Sequence, residues 1–586
     1  MAVKNYFNTW DDHRKTLVLS VLVGVLCGLA AVLLYGGIRT IQQGLTGWFG
    51  ESVWWNLLYL VYPGAGMLLA LLFVRYVVKD DIGHGVTKVL LAVSKSESRI
   101  KPHNTWSSLI ASCVTIGFGG SVGAEAPIVY TGAAIGSNVA QRAGLPYRNM
   151  TILLGCGAAG AVAGIFKAPL AGVLFTLEIL LFNISMSSIL PLLLSTVSAT
   201  VVSYAFLGME PLFEAFIAPF SMRNLPFYVI LGLLCAATSF YFTRMTLYLE
   251  DKIKIKGSPY ARWALSALAL GLLLFLFPPL YGEGYGDVRE MLLGNDIQPA
   301  VHTPLAFMLQ SPWGVIFFFF LVLLLKIFSM TLTNAGGGVG GTFGPTLFVG
   351  ALTGFLVARV INLSGIATVP QANFVLVGMA GLMAGVMQAP MTAIFLIAEV
   401  TGGYGLFIPL ILTASISFGC VRIFEKYSIY TKRIAQSGDL LTHDSDQAVL
   451  TLLKTSDLVR DKYPRVHLDW TLREVVKVVT QSTAAVFPVV DEDGHFQGIL
   501  EMDTIRPYIL KVKQYDKLYV YNLMSDPPER VYVDEKMDAV MAKFDRTDAW
   551  RLPVLTEDER YLGFISKSRI LLAYREELKE ITSQDI

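Results

Sequence analysis

The sequence predicts an α-helical polytopic membrane protein with two repeated, inverted halves and broken or re-entrant helices, followed by a cytoplasmic α/β tail. Three observations predict it. Of 586 residues, 54% are hydrophobic and only 16% charged, with mean hydropathy +0.55, where a soluble domain carries roughly 25% charged residues. The hydrophobic part contains one Gly/Pro-broken unit twice. GGSVGAEAPIVYTGAAIG from Gly119 matches GGVGGTFGPTLFVGALTG from Gly337, with six Gly and Pro positions at one constant offset. GIFKAPLAGVLFTLE from Gly164 likewise matches GVMQAPMTAIFLIAE from Gly385. The hydrophilic end also repeats: FPVVDEDGHFQGIL from Phe487 matches LPVLTEDERYLGFI from Leu552, with Pro488 on Pro553 and Gly498 on Gly563.

Taken in order, Lys4, Arg14 and Lys15 precede the first apolar run, Leu17 to Tyr35. The run is too long for a signal-peptide core, and the basic residues before it place the N-terminus in the cytoplasm. Apolar segments then fall at 17–46, 53–78, 105–118, 147–182, 186–207, 226–248, 261–281, 313–333, 343–363 and 373–424. Many are cut by Gly or Pro, and several are short for a span of about 20 residues. Such segments are tolerated in a bilayer only where protein or water satisfies the freed backbone groups. The expectation is a compact bundle with non-spanning helices inside. The two halves are inverted if each crosses an odd number of times. Interrupted segments in matching positions of two halves point to a transport site near the midplane. The Phe317–Phe320 run reads as lipid-facing. Cys27, Cys113, Cys156, Cys235 and Cys420 lie in apolar stretches at no metal-ligand spacing and read as small core residues, so no metal is expected. A net charge of +1 suggests no nucleic-acid partner.

Composition changes after Lys432. Residues 1–435 read as the membrane domain, 436–453 as a polar linker, and 454–586 as a soluble pair with copies at 454–512 and 522–575. Each copy reads helix, strand, turn, strand, helix, with a Pro-Val strand, an acidic turn and a Gly-led strand forming a short hairpin. This resembles a tandem pair of CBS domains. In nucleotide-binding members of that family Ser or Thr stands three residues after the Gly and Asp six. Here those positions are Glu501 and Thr504 after Gly498, and Ser566 and Arg569 after Gly563; Asp503 falls one residue early. Both ribose-binding aspartates are missing. No cofactor is therefore expected, adenine nucleotide is disfavoured, and a structural or dimerising tail is favoured.

The broken repeats carry the chemistry. A helix N-terminus presents unpaired N–H groups and about half a positive charge. Gly before it lets the backbone approach a ligand, and Pro suits the first turn. Two such termini facing each other make an anion site without a fixed cation. An anion held by dipoles alone leaves readily, which suits conduction. Gly123–Pro127 (GAEAP) and Gly341–Pro345 (GTFGP) both have this form, with no Lys or Arg beside them in sequence. Glu125 is the exception. An intramembrane carboxylate is costly and by default functional. Ionised, it occupies the positive terminus and excludes the anion; protonated, it swings away. The plain alternative is a glutamate at a helix start, stabilising by about 0.3–1 kcal/mol. The second copy, which lacks a carboxylate, weighs against it.

These motifs resemble the CLC chloride channel and transporter family over residues 15–435, and larger members of that family often carry a tandem CBS tail. The resemblance implies that Glu125, in G-x-E-x-P, is the gating glutamate and proton carrier, with Gly123, Ala124 and Ala126 around the anion. In G-x-F-x-P it implies chloride contacts at the amides of Thr342, Phe343 and Gly344. It implies that the Tyr430 hydroxyl donates to the central anion. The family's first motif, usually G-S-G-I-P, falls on Gly83, His84, Gly85, Val86 and Thr87. Here His84 replaces the serine and Thr87 the proline, which bears on anion selectivity. A neutral imidazole still donates one N–H; a protonated one adds pH dependence. The alternative is that His84 points into packing. Family antiporters often carry a Glu-Glu pair whose second member relays protons; here Glu178 is followed by Ile179, which carries none. Glu178 and its repeat mate Glu399 read as structural. Lys167, opposite Gln388, either tunes the anion potential or snorkels to the membrane face.

The resemblance thus implies proton-coupled chloride/proton exchange by a homodimer with one pathway per subunit. The setting is the plasma (inner) membrane of a prokaryote, with both termini cytoplasmic. It implies a transporter, not an enzyme. A passive chloride channel is the alternative, because of Ile179. A CBS-tailed divalent-cation transporter would need about six oxygen ligands per ion, and an intramembrane metalloprotease needs H-E-x-x-H, which does not occur.

Overall fold

A computed structural model describes residues 10–46, 57–83, 85–95, 98–180, 186–213, 215–253, 258–294, 303–436 and 453–582. The chain divides between Leu440 and Leu441 into two units, each with its own core. The first half of the membrane unit runs α1 (Asp12–Thr46), α2 (Leu58–Leu72, continued by a π turn over Phe73–Val78), α3 (Gly85–Lys95) and α4 (Ser107–Gly117). It continues with α5 (Glu125–Arg142), α6 (Tyr147–Phe166), α7 (Pro169–Ile179) and α8 (Met186–Leu207). The second half runs α9 (Leu225–Ile253), α10 (Pro259–Leu276), α11 (Tyr285–Leu293), α12 (Pro312–Ala335), α13 (Phe343–Ser364), α14 (Gln371–Met387), α15 (Pro390–Val400) and α16 (Phe407–Phe424), with α17 (Ile429–Gln436) following. Among the described residues nine helices are long and apolar enough to cross a membrane, and α3, α4, α7, α14 and α15 are shorter apolar helices.

The apolar stretch 147–182 is two helices, not one. Lys167 takes the left-handed conformation (φ 55°) and ends α6, and Pro169 opens α7. Gln388, at the equivalent place, has the same φ of 55° and separates α14 from α15 in the stretch 373–424. A left-handed non-glycine costs roughly 1–2 kcal/mol, and both side chains are tied down. Lys167 Nζ donates to the carbonyls of Leu207 (3.3 Å) and Glu210 (2.9 Å), and Gln388 Nε2 to that of Glu425 (2.8 Å). Lys167 therefore closes the end of α8.

Packing between α5 and α6 is backbone on backbone. A Cβ on Gly132 would meet the carbonyl of Gly157, and one on Gly157 the carbonyl of Gly132. Gly350 of α13 and Gly378 of α14 repeat that reciprocal contact. Small residues at such crossings let membrane helices approach closely. The halves are also latched to each other. Glu399 accepts the main-chain N–H groups of Leu170 (3.1 Å) and Ala171 (2.9 Å) at the start of α7. Glu178 accepts those of Met391 (3.0 Å) and Thr392 (2.7 Å) at the start of α15, and the Thr392 hydroxyl. Each acid satisfies the orphan donors of the other's helix.

The Phe317–Phe320 run is lipid-facing only in part. Phe318 and Phe319 are wholly buried while Phe317 and Phe320 are exposed, because four consecutive helical residues cover more than one face. Cys27, Cys156 and Cys235 are buried, and Cys113 and Cys420 half-buried.

In the soluble unit each copy builds a three-stranded sheet. The first contains β1 (Val466–His467), β2 (Val486–Val490) and β3 (Phe496–Glu501), with α18 (Leu472–Thr480) after β1. The second contains β4 (Val531–Tyr532), β5 (Arg551–Leu555) and β6 (Tyr561–Ser566), with α19 (Met537–Thr547) after β4 and α20 (Lys567–Thr582) closing it. In both, a short strand absent from the sequence reading pairs in parallel with the Pro-Val strand, and that strand pairs antiparallel with the Gly-led one. The registers match, with Val489 opposite Gly498 and Val554 opposite Gly563, each followed by a shift. The copies share a small core of Val490, Phe496, Ile499, Leu555, Tyr561 and Phe564.

Candidate anion site

The loops ahead of α5 and α13 turn sharply at Gly119 (φ 92°) and Gly337 (φ 95°), a conformation that glycine adopts without steric cost. They then meet. Gly123 N–H donates to the Gly341 carbonyl (3.0 Å) and Gly341 N–H to the Gly123 carbonyl (2.7 Å), an antiparallel bridge. That bridge brings the N-termini of α5 and α13 together, so the two partial positive ends converge.

Glu125 is the first residue of α5 and is 2% exposed. Its Oε2 accepts the main-chain N–H of Gly344 across the junction (3.1 Å), and its Oε1 accepts the Tyr285 hydroxyl. The carboxylate thus sits on the donors of the opposite helix. Phe343, its counterpart in the second copy of the repeat, packs against Phe166 and Phe175 at ring-centroid distances of 5.4 and 6.2 Å.

Beside the bridge lies a cavity of about 20 Å³, lined by Val86, Thr87, Ala126, Gly340, Gly341, Thr342, Ile429 and Tyr430. That is room for one water-sized particle. The Thr342 hydroxyl donates to the Tyr430 hydroxyl oxygen (3.3 Å). The junction therefore gathers Gly123, Ala124, Glu125, Ala126, Thr342, Phe343, Gly344 and Tyr430. Gly85 packs against the Ala126 carbonyl. Gly83 is differently engaged: its N–H donates to Asp81 Oδ1 (3.0 Å). His84 lies outside the described residues. Thr87, read as a departure from the motif, lines the cavity. Ile179 is buried at the end of α7.

A buried cation that neither motif contains lies behind the loop leading into α5. Lys326, in the middle of α12, is wholly buried. It donates to Ser121 Oγ (2.8 Å) and to the carbonyls of Gly282 (2.8 Å) and Leu280 (3.4 Å). Ser121 lies two residues before Gly123. Glu283 is the second residue missed: its Oε1 accepts the main-chain N–H of Ala124 (2.9 Å). A single Lys inside the apolar run PWGVIFFFFLVLLLKIF was the available signal, since an ionisable residue in a membrane helix is rarely idle.

Facing helix N-termini around a buried acid present donors of the kind an anion uses. The voltage gated chloride channel family model matches residues 65–422, and the CBS domain model matches residues 456–511 and 520–576. The chain belongs to the voltage gated chloride channel (CLC) family and carries a tandem CBS tail. It is 27% identical over 441 residues to a putative chloride channel protein ClcB-like of Ralstonia nicotianae, covering 72% of this chain and 97% of that protein. It is 27% identical over 421 residues to the H(+)/Cl(-) exchange transporter ClcA of Cronobacter sakazakii, covering 68% of this chain and 84% of that one. A slow cyanobacterial Cl-/H+ antiporter of known structure shares the fold at TM-score 0.61 and 22% identity, covering 72% of this chain and 97% of that chain.

Proposed function

We propose that this protein exchanges chloride for protons across the plasma (inner) membrane of a prokaryote. It works as a homodimer with one pathway per subunit and both termini cytoplasmic. One observation carries the reading: the Glu125 carboxylate occupies the Gly344 N–H at the junction of the two helix termini. An anion needs those same donors. Glu125 in its ionised form is the closed gate. Protonation removes its charge, frees the amide, and loads the proton that travels against chloride. The names of the ClcB-like and ClcA relatives support chloride, and the ClcA name supports exchange.

A passive channel is the second reading, because buried, apolar Ile179 follows Glu178, and Glu178 is committed to capping α15. In the exchanger, water carries protons over that inner half. Liposomes loaded with chloride separate the two, with external chloride and pH followed together for wild type and Glu125→Gln. Chloride efflux with stoichiometric proton uptake that disappears in Glu125→Gln is the expected result. Chloride efflux without proton movement in wild type makes the protein a channel. No chloride movement in either protein overturns the anion reading.

A further inference from the structure

Gly282-Glu283-Gly284 leads into α11 in the second half as Gly83-His84-Gly85 leads into α3 in the first. The correspondence is three-dimensional. A Cβ on Gly85 would run into Tyr130 of α5, and a Cβ on Gly284 into Phe348 of α13. Tyr130 and Phe348 are equivalent positions of the repeat, related by the offset that carries Gly123 onto Gly341. Both glycine-flanked stretches reach the start of α5. Gly85 lies against Ala126, and Glu283 holds Ala124.

In sequence, Glu283 stands in the second stretch where His84 stands in the first. Glu283 takes the Ala124 N–H (2.9 Å), the amide at the start of α5 that an anion would otherwise use. Lys326 fixes the turn through the carbonyls of Gly282 and Leu280. Its place in the first half is Ser108, so the first half has no equivalent cation. The charged and titratable groups facing Glu283 are Glu125, Tyr285 and Lys326, and Asp287 also faces Lys326.

We propose that Glu283 is a second proton-binding carboxylate of the chloride pathway. It competes with the anion for the Ala124 amide and gives way when it takes up a proton. This rests on the chloride reading above. The buried Lys326 faces two acids, Glu283 and Asp287, and Glu125 in turn faces Glu283. Chloride entering alone adds a negative charge to this buried pocket; chloride entering with a proton on Glu283 adds none. Hydronium from the bulk gives its proton to a carboxylate oxygen and is left as water, so one O–H bond breaks as one forms and nothing else changes. A Glu283 that merely caps α5 stays ionised while chloride binds.

The test is chloride titration calorimetry on the full-length protein in detergent, as wild type and Glu125→Gln, in two buffers of different ionisation heat. The difference between buffers counts protons taken up per chloride bound. The gating acid is gone in Glu125→Gln, so uptake of about one proton is the signature of Glu283. That uptake vanishes in Glu125→Gln/Glu283→Gln, whose chloride affinity rises by roughly tenfold and loses its pH dependence. If the double variant fails to fold, the proton count in Glu125→Gln decides. Chloride binding to Glu125→Gln without proton uptake overturns the role of Glu283 and leaves the chloride reading standing. Absence of chloride binding in wild type and Glu125→Gln overturns the chloride reading, and this inference with it.

Discussion

Asp80 holds the approach to α3. Its Oδ2 accepts Lys101 Nζ (2.7 Å) and pairs with His103 Nε2 (3.0 Å), and its Oδ1 accepts the Asp81 N–H (3.0 Å). The hydrogen bond from Lys101 is the first cause that holds the Asp80 carboxyl below the usual range, with His103 and the Asp81 amide helping. A depressed carboxylate stabilises the fold above its unfolded value of about 3.9, and that stabilisation is lost as pH falls through the lower folded value. The pair is largely solvated, so its worth is within about 1 kcal/mol. Asp80→Asn should therefore lower the thermal midpoint modestly and equally at neutral and mildly acidic pH. The difference should fade as pH falls below about 3.9; a difference that grows there refutes this account. At this scale the sequence was legible where residues sit in motifs, as Glu125 and Tyr430 do. Lys326 and Glu283 were not, because they reach the junction from α12 and from the turn before α11. Nearness in space was the missing information.

The latch between α7 and α15 belongs to the scale of elements. Each helix is short, opens with Pro, and receives a carboxylate from the other. Charge-assisted hydrogen bonds are worth about 1.5–3 kcal/mol each when lost, and the helix dipole favours an acid at an N-terminus. Glu178→Gln and Glu399→Gln should each lower the temperature at which the detergent-solubilised protein aggregates, and by similar amounts, because the two positions are equivalent. Glu178→Gln should leave proton coupling in liposomes intact; lost coupling with unchanged stability would return Glu178 to the proton path. The repeat itself was plain in the sequence, and the Glu178/Glu399 match pointed to a structural role. The boundary between α6 and α7 was not plain. Its left-handed residue is Lys167 rather than Gly, and the surrounding letters are continuously apolar. What permits the turn is a pair of carbonyls far along the chain, those of Leu207 and Glu210.

On the scale of the whole molecule, the chain joins two internally repeated units whose repeats work differently. In the membrane unit the copies diverge where chemistry is needed: Glu125 against Phe343, Lys326 against Ser108. In the soluble unit the two sheets keep one register, and divergence falls on the positions where related domains hold ribose. There the chain has Thr504 and Arg569. Asp503, the nearest acid, is exposed and paired with Arg506 at 3.1 Å. Ser566 accepts the Arg569 main-chain N–H (3.3 Å) and bonds Ser568 Oγ (3.3 Å), so its hydroxyl serves the start of α20. We propose that the tail holds no adenine nucleotide. A ligand at 100 times its dissociation constant stabilises its domain by about 2.7 kcal/mol, so even binding at about 10 µM would show plainly with about 1 mM nucleotide. ATP, ADP and AMP should each leave the thermal transition of the full-length protein and its chloride flux unchanged. A raised transition with any of the three would overturn the proposal, and its loss in Arg569→Ala would place the ligand beside β6.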